Sequence, residues 1–568
     1  MKSKTLYIFA FFICFVIGIV ALKNHEYIAS LMRFSTPNRL FVANESVVAV
    51  FSFTEEEALQ IDTSVMHYKL ILTDLKRLGV NPGLSQSGLK DRSLMISVET
   101  WGSDLSFPFK SNPLSRVING NFDPVIIQLC QRITGNRAKV YLRFNPEMEV
   151  PADAYPWQNN LIDYIKAFRH FSELGKQYAP QAIFVWAPAG YPGAMEFYPG
   201  DDVVAATSIT VKSNSENGLN VYPKDYAIQY DIQRRLHRLR FVNKPIFVLA
   251  SKNIEAVIDT KLVDSISGHI RQEKEVVYSA ENFIRPLSPN MNSTESPIIG
   301  LYDPQNLLVD EPAVSAEHLF VDFGSLQDGS FENNFRNVLA RKHALIITFE
   351  PFRNPNGKTD PNVLANVTAG KYDSEISDFY DIICSTRQRI YLRYAHEMEI
   401  PISRYPWQSQ DPVTYIHSFR YFMQFRDTLT DHILRVWGPA GDRGSIEWYP
   451  GNDIVDLLSI AIYGLPDKNI SDPEKQESFA TIFNRKYWRL RFINKPLFIT
   501  EFGVKGPEEY QTNWLLAAAK VIHKNKQIIG INYFNTSDTP KVWGEIKPPD
   551  WSISKASFRK FTTHLKSK

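Results

Sequence analysis

Glu397 follows the short apolar run RIYLRY by three residues, and Glu501 follows the run PLFIT directly. Paired carboxylates suit the cleavage of a glycosidic bond. One must stay protonated to act as general acid, while the other stays ionised and attacks the anomeric carbon. A lone glutamate after an apolar run is commonly just the start of a loop. Two become informative if the fold sets them opposite each other, because a retaining enzyme needs its carboxyl groups about 5–5.5 Å apart. Other polar or aromatic side chains stand at similar places: His396 beside Glu397, Glu350 closing LIITFE, Trp437 closing ILRVW and Tyr463 within LLSIAIYG.

The elements that would carry these residues are legible as alternating runs. From Ile298 onward the β-rich stretches are 298–303, 318–324, 345–352, 389–394, 433–439, 457–464, 496–503 and 528–535. Between them lie segments with apolar residues at helical spacing, such as DPVTYIHSFRYFMQFRD at 411–427. Nearly continuous apolar strands separated by helices predict a parallel sheet buried on both faces. Eight of them predict a (β/α)₈ barrel, with functional side chains at the C-terminal ends of the strands. Strands four and seven, which end in Glu397 and Glu501, face each other across the mouth of such a barrel. A doubly wound open sheet is the competing fold, but no glycine-rich phosphate loop follows the first strand.

The unit is written twice. YLRFNPEMEVP at 141–151 returns as YLRYAHEMEIP at 391–401, YPWQ at 155–158 as 405–408, VWAPAG at 185–190 as VWGPAG at 436–441, and RLRFVNKPIF at 238–247 as RLRFINKPLF at 489–498. The expectation is an α/β protein of two tandem (β/α)₈ TIM barrels, over 40–284 and 298–568, joined by a Pro/Ser/Asn-rich linker. The copies are not equivalent. Glu147, Trp157, Trp186 and Glu99 pair with Glu397, Trp407, Trp437 and Glu350, but Pro146, Lys212, Ala205 and Ala250 stand for His396, Tyr463, Asp456 and Glu501. Without a carboxylate at 250 no covalent glycosyl intermediate can form, so the first barrel is expected to be non-catalytic. It remains either a glycan binder or only a spacer or dimerisation surface.

The second copy resembles family 26 of the glycoside hydrolases, the β-mannanase family. The matching pieces are the EP of ITFEPF, LRYAHEM followed by PW, VWGP, YPGND with Asp456, the aromatic ending strand six, and ITEFG. The resemblance implies Glu397 as acid/base and Glu501 as nucleophile, His396 positioning the former and Tyr463 bonding the latter. It also implies Trp407 and Trp437 as parts of a sugar-stacking wall, with Glu350, Arg393 and Trp543 as further substrate-binding residues, and no cofactor. Glu399 and Ile400 depart from the Asn-Gly usual after the HEM motif, which leaves β-mannan, other β-glycans and an exopolysaccharide of the same cell equally open. The implied activity is retaining, endo-acting hydrolysis of a β-linked polysaccharide. The alternatives are a non-catalytic binding or scaffold protein of exopolysaccharide synthesis or export, and a transglycosylase.

Composition bounds the partners. A net charge of +2 with acids and bases interspersed points away from nucleic acid. Three cysteines without zinc spacing predict free, buried thiols and no metal. Lys2 and Lys4 precede an apolar run from Thr5 to Leu22, closed by Lys23 and just long enough to span a bilayer. The first 25 residues therefore read as a signal anchor that leaves the body exported, or as a signal peptide cleaved near Ala21 that releases it.

Overall fold

The computed structural model describes residues 45–53, 65–73, 92–100, 112–151, 155–212, 227–252, 254–274, 276–278, 296–352, 359–401, 405–426, 431–464, 477–538 and 547–566. The run Thr5–Leu22 and Trp543 lie outside them. No helix among the described residues is long and apolar enough to cross a membrane. The chain divides into two compact units, Met1–Gln272 and Glu273–Lys568.

Among its described residues the first unit holds seven strands: β1 (Glu45–Phe51), β2 (Met66–Ile71), β3 (Leu94–Glu99), β4 (Val140–Phe144), β5 (Ile183–Trp186), β6 (Ala206–Val211) and β7 (Ile246–Ser251). Strands β2 to β7 pair in parallel and in sequence order, as the alternating pattern predicts. Among the described residues the sheet is open rather than the expected closed barrel. Strand β1 runs antiparallel on β7, from Glu45 opposite Ser251 to Phe51 opposite Ile246, giving the sheet order β1-β7-β6-β5-β4-β3-β2. It therefore occupies the edge on which a parallel eighth strand would close the ring. The last β-rich run of the first copy, VVYSAEN at 276–282, is turn and bend over its described residues, 276–278. Val47, Met95, Val185, Ala206, Phe247 and Leu249 fill the concave side.

The second unit is the predicted barrel. Its strands are β8 (Ile298–Tyr302), β9 (Ala316–Asp322), β10 (Ala344–Glu350), β11 (Ile390–Tyr394), β12 (Ile433–Trp437), β13 (Leu457–Gly464), β14 (Leu497–Val504) and β15 (Ile528–Phe534). All eight pairings are parallel, and β15 returns to β8 with Phe534 opposite Tyr302. The interior is layered, as in other filled barrels. Its floor is apolar, built from Ala316, Ile346, Tyr391, Val436, Leu457 and Phe498. The helix predicted over 411–427 spans Pro412–Met423, and Asp411 caps it by accepting from the Thr414 N–H at 3.0 Å. Cys130 and Cys384 are both free, Cys130 buried as expected but Cys384 partly exposed.

Candidate active site

Above the apolar floor the barrel interior turns polar. His318 (β9) bonds Thr348 Oγ1 (β10) at 2.8 Å and lies 3.1 Å from Asn532 Nδ2 (β15), while Asn532 also donates to the Thr500 carbonyl at 2.9 Å. Burial and the neighbouring Arg393 cation push His318 well below its ordinary range, so it stays neutral. Arg393, itself buried, threads through this layer. Its Nε donates to Thr348 Oγ1 at 2.8 Å, Nη1 to Thr500 Oγ1 at 3.0 Å, and Nη2 to Glu501 Oε1 at 2.6 Å. A buried guanidinium needs such partners, and its planar fork spans three of them at once.

That Thr500 and Glu501 both reach one guanidinium is a consequence of a bulge. Adjacent strand residues normally point to opposite faces. Along β14 the register slips, from Phe498 opposite Ser459 to Glu501 opposite Ala461, and again against β15 between Ile499 and Phe502. One extra residue on β14 re-aims Glu501 into the barrel. Strand β7 of the first unit has no such slip against β6. There the alternation stays regular, and Ser251 faces the cavity of that unit. The sequence pairing of Ala250 with Glu501 thus needs correction: the inward position on β7 belongs to Ser251.

Glu501 receives a second donor, the Tyr463 hydroxyl, at 3.0 Å on Oε2. Burial and the Glu501 charge hold that phenol well above its ordinary range, so it remains a donor. Glu397 sits past the end of β11 in left-handed backbone, φ 53°, as does Ala395 at φ 44°. Such strain persists only where neighbours enforce it. Here the Glu397 N–H donates to the Gly438 carbonyl at 2.8 Å, Gln408 Nε2 donates to the Glu397 carbonyl at 3.1 Å, and Trp407 Nε1 donates to the His396 carbonyl at 2.8 Å. The Glu397 carboxyl is pushed up to about 8, first by burial and then by the negative charge of Glu501, with Lys486 and Arg393 pulling the other way. His396 lies between two acids, with Nε2 at 3.9 Å from Glu501 and Nδ1 at 4.0 Å from Glu350.

The structure therefore brings together Glu350, Arg393, His396, Glu397, Tyr463 and Glu501. It does not give Trp407 and Trp437 the expected role. Both are fully buried, Trp407 under Tyr405 (ring centroids 4.5 Å, planes 3° apart) and Trp437 against Tyr449, so neither offers an indole face to a ligand. They brace the turn instead. Other aromatics are partly exposed, among them Tyr302, Phe320 and Phe534, at or near the C-terminal ends of β8, β9 and β15 and in mutual contact at 4.5–6.4 Å. Sequence reasoning missed them, although each lies in the last three residues of its strand. Asp456 sits before β13, at the opposite end of the strand from Tyr463, and clasps Arg435 at 3.0 Å; its role is structural.

Glu399, the departure from the family pattern, has a local explanation. Its Oε1 accepts from the N–H groups of Gly441 (2.9 Å) and Asp442 (3.1 Å) and from the Ser445 hydroxyl (2.8 Å). It thereby clamps the loop after β12 that carries Gly438. Glu149 does the same for Gly190 and Tyr191 in the first unit, at 2.8 and 3.0 Å.

No family model matches the chain. Among curated proteins it is 28% identical over 155 residues to the β-1,3-xylanase TXYA of a Vibrio species, covering 26% of this chain and 29% of that protein. It is 26% identical over 223 residues to endoglucanase H of Acetivibrio thermocellus, covering 37% of this chain and 23% of that one. The chain thus spans less than a third of the length of these relatives. Solved structures that resemble it include GH26C from a Muricauda species (17% identity, TM-score 0.36, 48% of this chain and 86% of that one). Another is the catalytic domain of a Bacillus GH26 endo-β-1,4-mannanase (14% identity, TM-score 0.37, 51% and 94%). Over part of its length, the chain is similar in sequence to glycoside hydrolases.

Proposed function

We propose that the second unit is a retaining glycoside hydrolase acting within β-linked polysaccharide chains. Glu397 is its acid/base and Glu501 its nucleophile. The observation that carries this reading is the contrast between the two carboxyls: Glu397 is pushed up to about 8 beside Glu501, which takes hydrogen bonds from Arg393 and Tyr463. At neutral pH Glu397 gives its proton to the glycosidic oxygen as the bond to the leaving sugar breaks. Glu501 attacks the anomeric carbon from the other side and forms a glycosyl ester. Glu397, now a carboxylate, takes a proton from water, which attacks the same carbon and releases Glu501. Tyr463 and Arg393 hold the attacking oxygens in place, and Tyr302, Phe320 and Phe534 supply apolar faces for the sugar ring.

The relatives' names make β-1,3-xylan and β-glucan the first substrates to try, and the family resemblance adds β-mannan. Proton NMR of the first products tests the mechanism: the β-anomer should appear before mutarotation, and initial release of the α-anomer would exclude retention. The run Thr5–Leu22 would carry the body across a membrane and hold it there. Resistance of the protein to carbonate extraction is the expected result, and release with a mature N-terminus near Leu22 would show a cleaved signal instead.

A further inference from the structure

The first unit contains a cavity of about 240 Å³ on the strand ends of its sheet. The copies share register there: His67 bonds Ser97 Oγ at 2.8 Å as His318 bonds Thr348, and Glu99, Glu147 and Tyr155 stand where Glu350, Glu397 and Tyr405 stand in the second unit. Two lysines have replaced two aromatics. Lys69, in place of Phe320, binds Glu99 at 2.6 Å, and Lys212, in place of Tyr463, binds Glu147 at 2.5 Å. Their ammonium groups are held above the ordinary range despite burial, by the carboxylates they face, so both stay charged.

We propose that this cavity is a non-hydrolytic binding site for one uncharged sugar residue of a glycan chain. Its charges balance. Lys69, Lys212 and the buried Arg143 oppose Glu45, Glu99 and Glu147, while His67, lowered to about 3 by burial and by Arg143, is neutral. An anionic ligand would have to displace Glu99 or Glu147 from its lysine, and a cation would have to displace a lysine; either leaves a buried ion without its partner. A neutral polyol displaces nothing. An ammonium can donate three hydrogen bonds and a carboxylate can accept several, so adjacent hydroxyls of one sugar can donate to the acid and accept from the base. Tyr155, backed by Trp157 (centroids 4.7 Å, planes 5° apart), and Pro146 supply an apolar side for the C–H face of the ring. Hydrolysis is excluded there, since Ser251 is the residue that β7 presents to the cavity and Lys212 occupies Glu147.

The identification of a sugar, rather than another neutral polyol, rests on reading the second unit as a glycosidase. The test uses the full chain carrying Glu501→Gln, titrated calorimetrically with neutral oligosaccharides of β-1,3-xylan, β-1,4-mannan and β-glucan, and with an oligouronate. The expected result is two sites per chain for a neutral oligosaccharide and no preference for the uronate. Tyr155→Ala, which leaves both ion pairs intact, should weaken one site by roughly tenfold or more and leave the other unchanged. Lys69→Met should do the same. A single site in the parent, two sites untouched by both substitutions, or preferential uronate binding would overturn the proposal. Turnover by the wild-type chain with only one binding site sinks this inference alone. Two sites without turnover sink only the hydrolase reading, and neither binding nor turnover sinks both.

Discussion

Arg393 on β11 and Gly438 in the loop after β12 pass so close that a Cβ at 438 would collide with Arg393 Cδ. The missing side chain leaves room for the guanidinium to reach Glu501 at 2.6 Å. In the first unit Ala187 occupies that position, and Arg143 turns instead to Ser208 and Thr210 on β6, with Ser97 as its third partner. Gly438→Ala should therefore force Arg393 aside, with an overpacking cost of about 1–3 kcal/mol. Misplacement of Glu501 by a fraction of its contact distance should lower kcat by on the order of 10²-fold. Steady-state kinetics beside a thermal melt separates this from simple unfolding.

The raised carboxyl of Glu397 predicts the alkaline limb of activity. Glu397 works protonated, so kcat/KM should fall as pH rises through about 8. The same shift makes a stability prediction independent of substrate. Its folded value lies above the ordinary 4.5, so between those two pH values the folded state binds more protons than the unfolded one, and stability falls as pH rises. Glu397→Gln removes that slope. Its melting temperature should gain on the wild type steadily from pH 5 to pH 8; parallel curves would contradict the assignment.

Glu399→Ala should destabilise the second unit by about 1–3 kcal/mol, because it strands the N–H groups of Gly441 and Asp442 together with the Ser445 hydroxyl. The loop it clamps carries the carbonyl that fixes the Glu397 N–H, so turnover should fall as well. Denaturant titration and kinetics on the same preparation check both effects.

How much of this was legible in the sequence follows from the range of the forces involved. The eight strands of the second unit are buried on both faces, so they read directly as apolar runs bounded by helices. The identities of Glu397, Glu501, His396 and Tyr463 were legible too, as polar residues at strand ends. The direction of Glu501 was not, because one extra residue in β14 sets it and a bulge leaves no mark in the pattern of residue types. The open sheet of the first unit was equally hidden. It depends on which edge β1 takes, a choice between residues some 200 positions apart, such as Glu45 and Ser251. Trp407 and Trp437 misled for a simpler reason: an indole packs as well beneath a turn as against a sugar.

The bulge also decides what engineering of the first unit would do. Ala250 is fully buried on the face of β7 opposite Leu249 and Ser251. Ala250→Glu should drive a carboxylate among the packed helices and unfold the unit, at a cost of about 3 kcal/mol or more, without creating activity. A soluble variant with new turnover, measured with Glu501→Ala in the same chain, would contradict the register.

Trapping of the glycosyl ester tests the central claim most directly. A 2-deoxy-2-fluoro glycoside with a good leaving group should inactivate the wild-type chain and add the mass of one fluorosugar per molecule. Peptide mapping should place it on Glu501, and Glu501→Ala should both escape labelling and lose turnover by on the order of 10⁵-fold. A chain that turns over substrate yet carries no label, or carries it on any residue other than Glu501, would contradict the account.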